Sequence, residues 1–273
     1  MSESKNLLDI EYIHKISDKI RESESEDFVE NSLAFLLSFY DLINFSFAYD
    51  TPLFRARKTE SGKGFTSTSD IYYPPKHLTN IGRLNEKGTP FLYLSLSLDT
   101  ALTEIGAKDG DIIQASGFML KNNSLTLGVI GESFRSSRGT ASILDKESAT
   151  IISNFIRKLS IKDRKLALSY LYTDLFFDEI LRSQNAKKTN YIHSRILSRN
   201  IFNKYQNLDG LLYHSVASLA SLNVALPSKK ADTSIGLVDT MLLKVIKAYP
   251  YGLYDIEFIK KPKNILRNGN IIW

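Results

Sequence analysis

The sequence predicts an α+β protein in which helices flank a sheet, with a helical appendage at the N-terminus. Three observations point there. "FLYLSLSL" at 91–98 alternates strictly, with Leu92, Leu94, Leu96 and Leu98 on one side and Phe91, Tyr93, Ser95 and Ser97 on the other. That is the period of a strand with one face on a core. Residues 6–22 place Leu7, Ile10, Ile13, Ile16 and Ile20 at helical spacing. The 273 residues are 43% hydrophobic and 24% charged, as in an ordinary globular chain with room for one large domain or a domain plus an appendage.

The elements follow in order. After the helix at 6–22 comes the acidic run "ESESEDFVE" and a second helical stretch near 28–47. Asp41 and Asn44 interrupt its apolar residues, so it reads as a buried helix and not as a membrane span. Residues 1–50 form the appendage and 51–273 the main domain. "LFRAR" at 53–57 is a short strand. The Gly-, Pro-, Ser- and Asn-rich stretch up to Gly88 is a long loop, a place where function concentrates. In the strand at 91–98 the leucines face the core and Tyr93 the more polar side. Asp99 reads as the N-cap of a helix starting at Thr100, which places Glu104 in its first turns, near the positive end of the dipole. Strands are expected at 111–120, 123–130 and 209–215, and helices at 144–158, 162–182 and 189–204. Residues 236–249 form a strand or, as the alternative, a helix.

Charge is distributed unevenly. Residues 1–50 carry 4 Lys and Arg against 11 Asp and Glu, a net charge of −7, so the remaining 223 residues carry +12. A basic body suits an anionic ligand, a nucleotide or a nucleic-acid backbone. No basic helix with interleaved aromatics supports the nucleic-acid alternative. The absence of cysteine removes disulfides, thiolate catalysis and thiolate metal sites. The start lacks a signal-peptide apolar core, so a cytoplasmic protein is expected. His14, His77, His193 and His214 have no metal-binding spacing, and no metal or membrane is expected. There is no GxxxxGK[ST], no GxGxxG and no GxSxG. "SGKGF" at 61–65 is a weak phosphate-loop signal.

What remains is a set of Arg, Tyr, Glu and Ser residues on loop and strand edges. "GRLNEKGTPFLYLSLSLDTALTEI" carries Gly82, Arg83, Asn85, Gly88, Leu92, Tyr93, Ser95, Ala101 and Glu104 in the order GR-x-N-x-x-G, LY-x-S, A-x-x-E. This resembles the core of the RES domain family. "LFRAR", with Arg55, resembles the family's first strand. "DGLLYHSVASLASLNVAL" resembles the segment that carries its serine, placed at Ser215. The resemblance spans about residues 52–230. Leu84, Glu86 and His214 depart from it, standing where an aromatic, a proline and a proline are frequent.

The resemblance implies an ADP-ribosyltransferase-like fold with a split, mostly antiparallel sheet. It implies an NAD-consuming toxin, an NAD phosphorylase or glycohydrolase, paired with an antitoxin protein. NAD is then substrate, inorganic phosphate a co-substrate, and no cofactor is needed. Arg83, Tyr93, Glu104 and Ser215 are the implied catalytic residues, and Arg55, Arg83, Asn85, Tyr93 and Ser95 the ligand-binding ones. ADP-ribosylation of a macromolecule would need the same Arg, Tyr and Glu. The charge split adds the expectation that the acidic appendage regulates a basic cleft or mediates formation of a homo-oligomer.

Overall fold

The computed structural model describes residues 9–59, 62–141, 143–217 and 221–273. In chain order the elements are α1 Ile10–Glu22, α2 Glu26–Phe39, β1 Ile43–Phe47, β2 Leu53–Lys58, β3 Phe91–Ser95, α3 Leu98–Glu104, β4 Ile112–Leu120, β5 Leu125–Val129, α4 Glu132–Ser137, α5 Lys146–Lys162, α6 Arg164–Arg182, α7 Ile192–Lys204, β6 Gly210–His214, β7 Leu222–Pro227, α8 Ser228–Ser234, β8 Ile235–Tyr249, β9 Leu253–Lys260, β10 Asn264–Ile265 and β11 Ile271–Ile272. The chain groups into two compact units. One comprises residues 1–45, 81–86 and 128–207, the other 46–80, 87–127 and 208–273.

The first unit is helical. α1 packs on α6, and α2 packs on α7. Ile13 and Ile20 of α1 are buried, as are Val29, Leu33, Leu36 and Leu37 of α2, the three-and-four spacing of a helix with one face on a core. Each such side chain contributes about 1.5–3 kcal/mol when fully withdrawn from water. The expected helix at 6–22 begins at Ile10, and residues 6–8 lie outside the described residues. The expected helix at 28–47 stops at Phe39, and Ile43–Phe47 is a strand. Tyr40 ends the helix with an extended backbone, φ −105° and ψ 131°. Its hydroxyl donates to Asp174 at 2.5 Å. Asp174 also accepts from the backbone N–H groups of Gly131 and Phe134, at 3.0 Å each, so it fastens the start of α4 to α6. Burial pushes the Asp174 carboxyl above its ordinary range.

The second unit holds most of a nine-stranded sheet of order β1-β5-β6-β7-β3-β2-β4-β8-β9, with β10 and β11 pairing separately. The pairs β2–β3, β2–β4, β3–β7, β4–β8, β6–β7 and β8–β9 are all antiparallel. The α+β expectation with a mostly antiparallel sheet is met, and residues 236–249 lie in strand β8. β3 is shorter than its alternation suggested. It ends at Ser95, and Phe91 and Ser95 are buried along with Leu92 and Leu94. Both of its faces are therefore covered. α3 lies beside β2, with Ala101 and Leu102 packed in one cluster with Ala56, Ile113 and Val245.

Among the described residues no helix is long and apolar enough to cross a membrane, and no group of three His, Cys, Asp or Glu could hold a metal ion.

Candidate active site

Glu104 is the last residue of α3, not a first-turn residue as expected. The helix is capped at Ser97 instead of Asp99, with Ser97 Oγ accepting from Thr100 N at 3.2 Å. A carboxylate at a helix C-terminus faces the negative end of the dipole, at a cost of about 0.3–1 kcal/mol. Two neutral donors offset that cost. Ser215 Oγ donates to Glu104 Oε1 at 2.7 Å, and Asn223 Nδ2 donates to the same oxygen at 2.6 Å.

The cluster extends one residue further. Ser95 on β3 and Asn223 on β7 are direct cross-strand partners, so their side chains share a face. Ser95 Oγ donates to Asn223 Oδ1 at 2.7 Å. The carboxylate of Glu104 needs a donor, so the amide NH₂ must point at it and the amide oxygen at Ser95. Ser95, Asn223 and Ser215 are 4%, 3% and 5% exposed, whereas Glu104 itself is exposed. One carboxylate oxygen is thus anchored in a buried polar group. The other, Oε2, has no hydrogen bond among the described residues.

Gly210 opens β6 and lets it lie close to β7. A Cβ there would stand 2.6 Å from Ala225 O. β6 runs up to Ser215 and β7 carries Asn223, so this contact sets where both donors stand. Ser215 is held further by Ala217 N, which donates to its Oγ at 3.1 Å, and by its own N–H on Ser221 O at 2.7 Å.

Arg55 and Tyr93 belong to the same unit. Arg55 on β2 donates from Nη1 to Tyr93 O at 3.2 Å and has no carboxylate partner among the described residues. Its buried Nε has no acceptor among the described residues. Although partly exposed, it is crowded enough that burial, with Arg57 adding repulsion, lowers its pKa to about 10. It remains a cation at neutral pH. The Tyr93 ring lies 6.3 Å from that of Phe91, tilted by 33°.

Arg83 and Asn85 belong to the first unit. Arg83 Nη1 donates to Leu181 O and Ser183 O, at 2.9 and 3.0 Å, where α6 ends, and its guanidinium lies 5.5 Å over the Tyr191 ring. Asn85 is buried, donates to Glu86 O at 3.0 Å, and accepts from Gly82 N at 3.0 Å through its own carbonyl. The sequence residues thus fall into two sets, Arg55, Tyr93, Ser95, Glu104 and Ser215 in one unit and Arg83 and Asn85 in the other.

Sequence reasoning missed Asn223. Its signal was an asparagine inside the apolar run "LNVAL", where a buried amide must have partners.

A family model described as the RES domain matches residues 52–240. No curated protein matches the chain. A crystal structure of the M. tuberculosis MbcT–MbcA toxin–antitoxin complex aligns with 78% of this chain and 92% of the other, at 9% identity and a TM-score of 0.37, a likeness too slight to carry any assignment.

Proposed function

The chain belongs to the RES domain family, and on that premise we propose that it cleaves the nicotinamide–ribose bond of NAD, as the toxin of a toxin–antitoxin pair. The observation that supports this reading is the half-anchored Glu104. Breaking that bond builds positive oxocarbenium character on the ribose, as in glycoside cleavage. A carboxylate fixed at one oxygen and open at the other can face that charge or hold a ribose hydroxyl through Oε2. Nicotinamide leaves as a neutral base, so no general acid is required. In phosphorolysis a phosphate oxygen bonds to the ribose carbon as the carbon–nitrogen bond breaks, giving nicotinamide and ADP-ribose 1″-phosphate. In hydrolysis water bonds instead and releases a proton.

Ser215 serves here as a donor to Glu104 and not as a nucleophile, since its hydroxyl proton is committed to a carboxylate. Arg55, a cation with no carboxylate partner among the described residues, suits an anionic group of the substrate. Arg83 is assigned anion binding through its guanidinium, and Tyr93 a flat face for a ring.

The test is NAD loss by the purified protein, with and without phosphate, beside Glu104→Ala. Removing preorganised charge of this kind lowers the rate by roughly 10²–10³-fold. Loss that needs phosphate and Glu104 supports phosphorolysis, and loss without phosphate supports hydrolysis. Labelling of a macromolecule in place of free product would replace both with ADP-ribosyl transfer. No nicotinamide release from a folded protein would sink the reading.

A further inference from the structure

The turn Gly82–Glu86 is fastened by charge as well as by backbone. Glu86 uses both carboxylate oxygens. Oε2 pairs with Arg195 Nη1 at 2.6 Å and Oε1 with Arg199 Nη1 at 2.6 Å. Arg195 and Arg199 are one helical turn apart on α7, so both guanidinium groups lie on one face. Between them Ser198 Oγ donates to Leu84 O at 2.9 Å, a second tie on the same turn.

The two arginines have a second set of partners. Arg195 Nη2 pairs with Glu26, and Arg199 Nη2 pairs with Glu30 at 2.9 Å. Glu26 and Glu30 are likewise one turn apart, on α2. Two acids of α2 therefore meet two bases of α7 rung against rung, and Glu86 spans both bases. The Arg195 side chain is only 4% exposed. A guanidinium withdrawn from water to that degree needs its donors filled, and its planar fork can serve two carboxylates at once. α2 lies outside residues 52–240, where the family model matches.

We propose that α2 braces the turn bearing Arg83 and Asn85 through the chain Glu26–Arg195–Glu86–Arg199–Glu30, so that Glu86, Arg195 and Arg199 are positioning residues and the N-terminal helices set the order of the Arg83 turn. The acids of α2 orient the two guanidinium groups, and the guanidinium groups hold Glu86. The brace stands on the ion pairs themselves. Only its effect on turnover rests on the NAD-cleaving reading.

Hydrogen exchange of the amides in residues 81–88 tests it on the full chain. Glu86→Gln is expected to speed that exchange by about ten-fold, the response of a locally released segment. The double variant Glu26→Gln/Glu30→Gln, changed only at residues with exposed carboxylates, is expected to speed the same amides about three-fold while α2 keeps its own protection. Asp27→Asn, which removes one carboxylate charge elsewhere on α2, should leave them unchanged. Kinetically, both network variants should raise KM for NAD more than they lower kcat. Wild-type exchange at 81–88 in the double variant overturns the brace, and so does an equal effect from Asp27→Asn. If the wild-type protein does not cleave NAD, the functional reading fails alone, and the exchange result still decides the brace.

Discussion

Arg83 and Glu104 are held by opposite chemistries. The Arg83 turn hangs in a network of three carboxylates and two guanidinium groups, tied to α2 and α7. Glu104 is held by a hydroxyl and an amide, with no cation paired to it among the described residues. A charged network tolerates small changes of angle, because each member has several partners, but its exposed arms weaken as salt screens them. A neutral cluster depends on direction. Its hydrogen bonds serve only if Ser95, Asn223 and Ser215 stand where the strands put them, and salt has no pair there to screen. One unit secures its turn by number of contacts, and the other secures its carboxylate by register.

The largest effect should come from breaking the charged side at its buried member. Arg195→Met would leave Glu86 and Glu26 without that partner and should lower unfolding free energy by about 3–5 kcal/mol in a urea titration. A loss below about 1 kcal/mol would mean that the network adds little to stability. The neutral side should respond less. Asn223→Ala strands the Ser95 hydroxyl and removes one donor from Glu104, costing about 1–3 kcal/mol in the same titration. With it kcat for NAD cleavage should fall by about ten-fold, since a carboxylate free to rotate is no longer preorganised. Asn223→Asp should fall further, because it sets a second carboxylate against the first.

The smallest effect sharpens the comparison with a third carboxylate. Asp174, like Glu104, is held by neutral donors, but it is fully buried, and burial raises its pKa. The folded state therefore binds this proton more tightly than the unfolded chain does. Stability should fall as pH rises from the ordinary carboxylate range through the raised value, and be flat above it. Thermal melts of Asp174→Asn should lack that slope, and an unchanged slope would assign it to other groups.

Much of the architecture was legible. The strict alternation at 91–98 marked β3, "LFRAR" marked β2, and helical spacing marked α1, α6 and α7. The failures share a physical cause, which is that two local signals competed. Ser97 and Asp99 are both good N-caps two residues apart. Ser97 also fits the alternating pattern, which shifts the expected helix start to Thr100 and sets Glu104 at the wrong end of the dipole. The apolar density of 28–47 concealed that Ile43, Phe45 and Phe47 alternate with polar residues and belong to a strand. The site divides in the same way. Arg55, Tyr93, Ser95, Glu104 and Ser215 could be named from the motif, but the pairing of Asn223 with Ser95 depends on strand register between segments 128 residues apart. The role of Glu86 depends on two arginines more than 100 residues later. The charge split between residues 1–50 and the rest was visible in the sequence, but not the pairing of Glu26 and Glu30 with Arg195 and Arg199.

The close approach at Gly210 bears on how this protein could be silenced by mutation. If the activity harms the cell that makes it, survivors of forced expression carry damaged genes, and the damage should be of two kinds. Changes at Glu104 would leave a protein that still accumulates, folded and inert. Any side chain at Gly210 drives a carbon into the Ala225 carbonyl and forces β6 and β7 apart. Those survivors should contain little intact protein, because a loosened sheet is a substrate for proteases. Sorting survivors by how much protein remains would then separate the positions that do the chemistry from those that hold the sheet together.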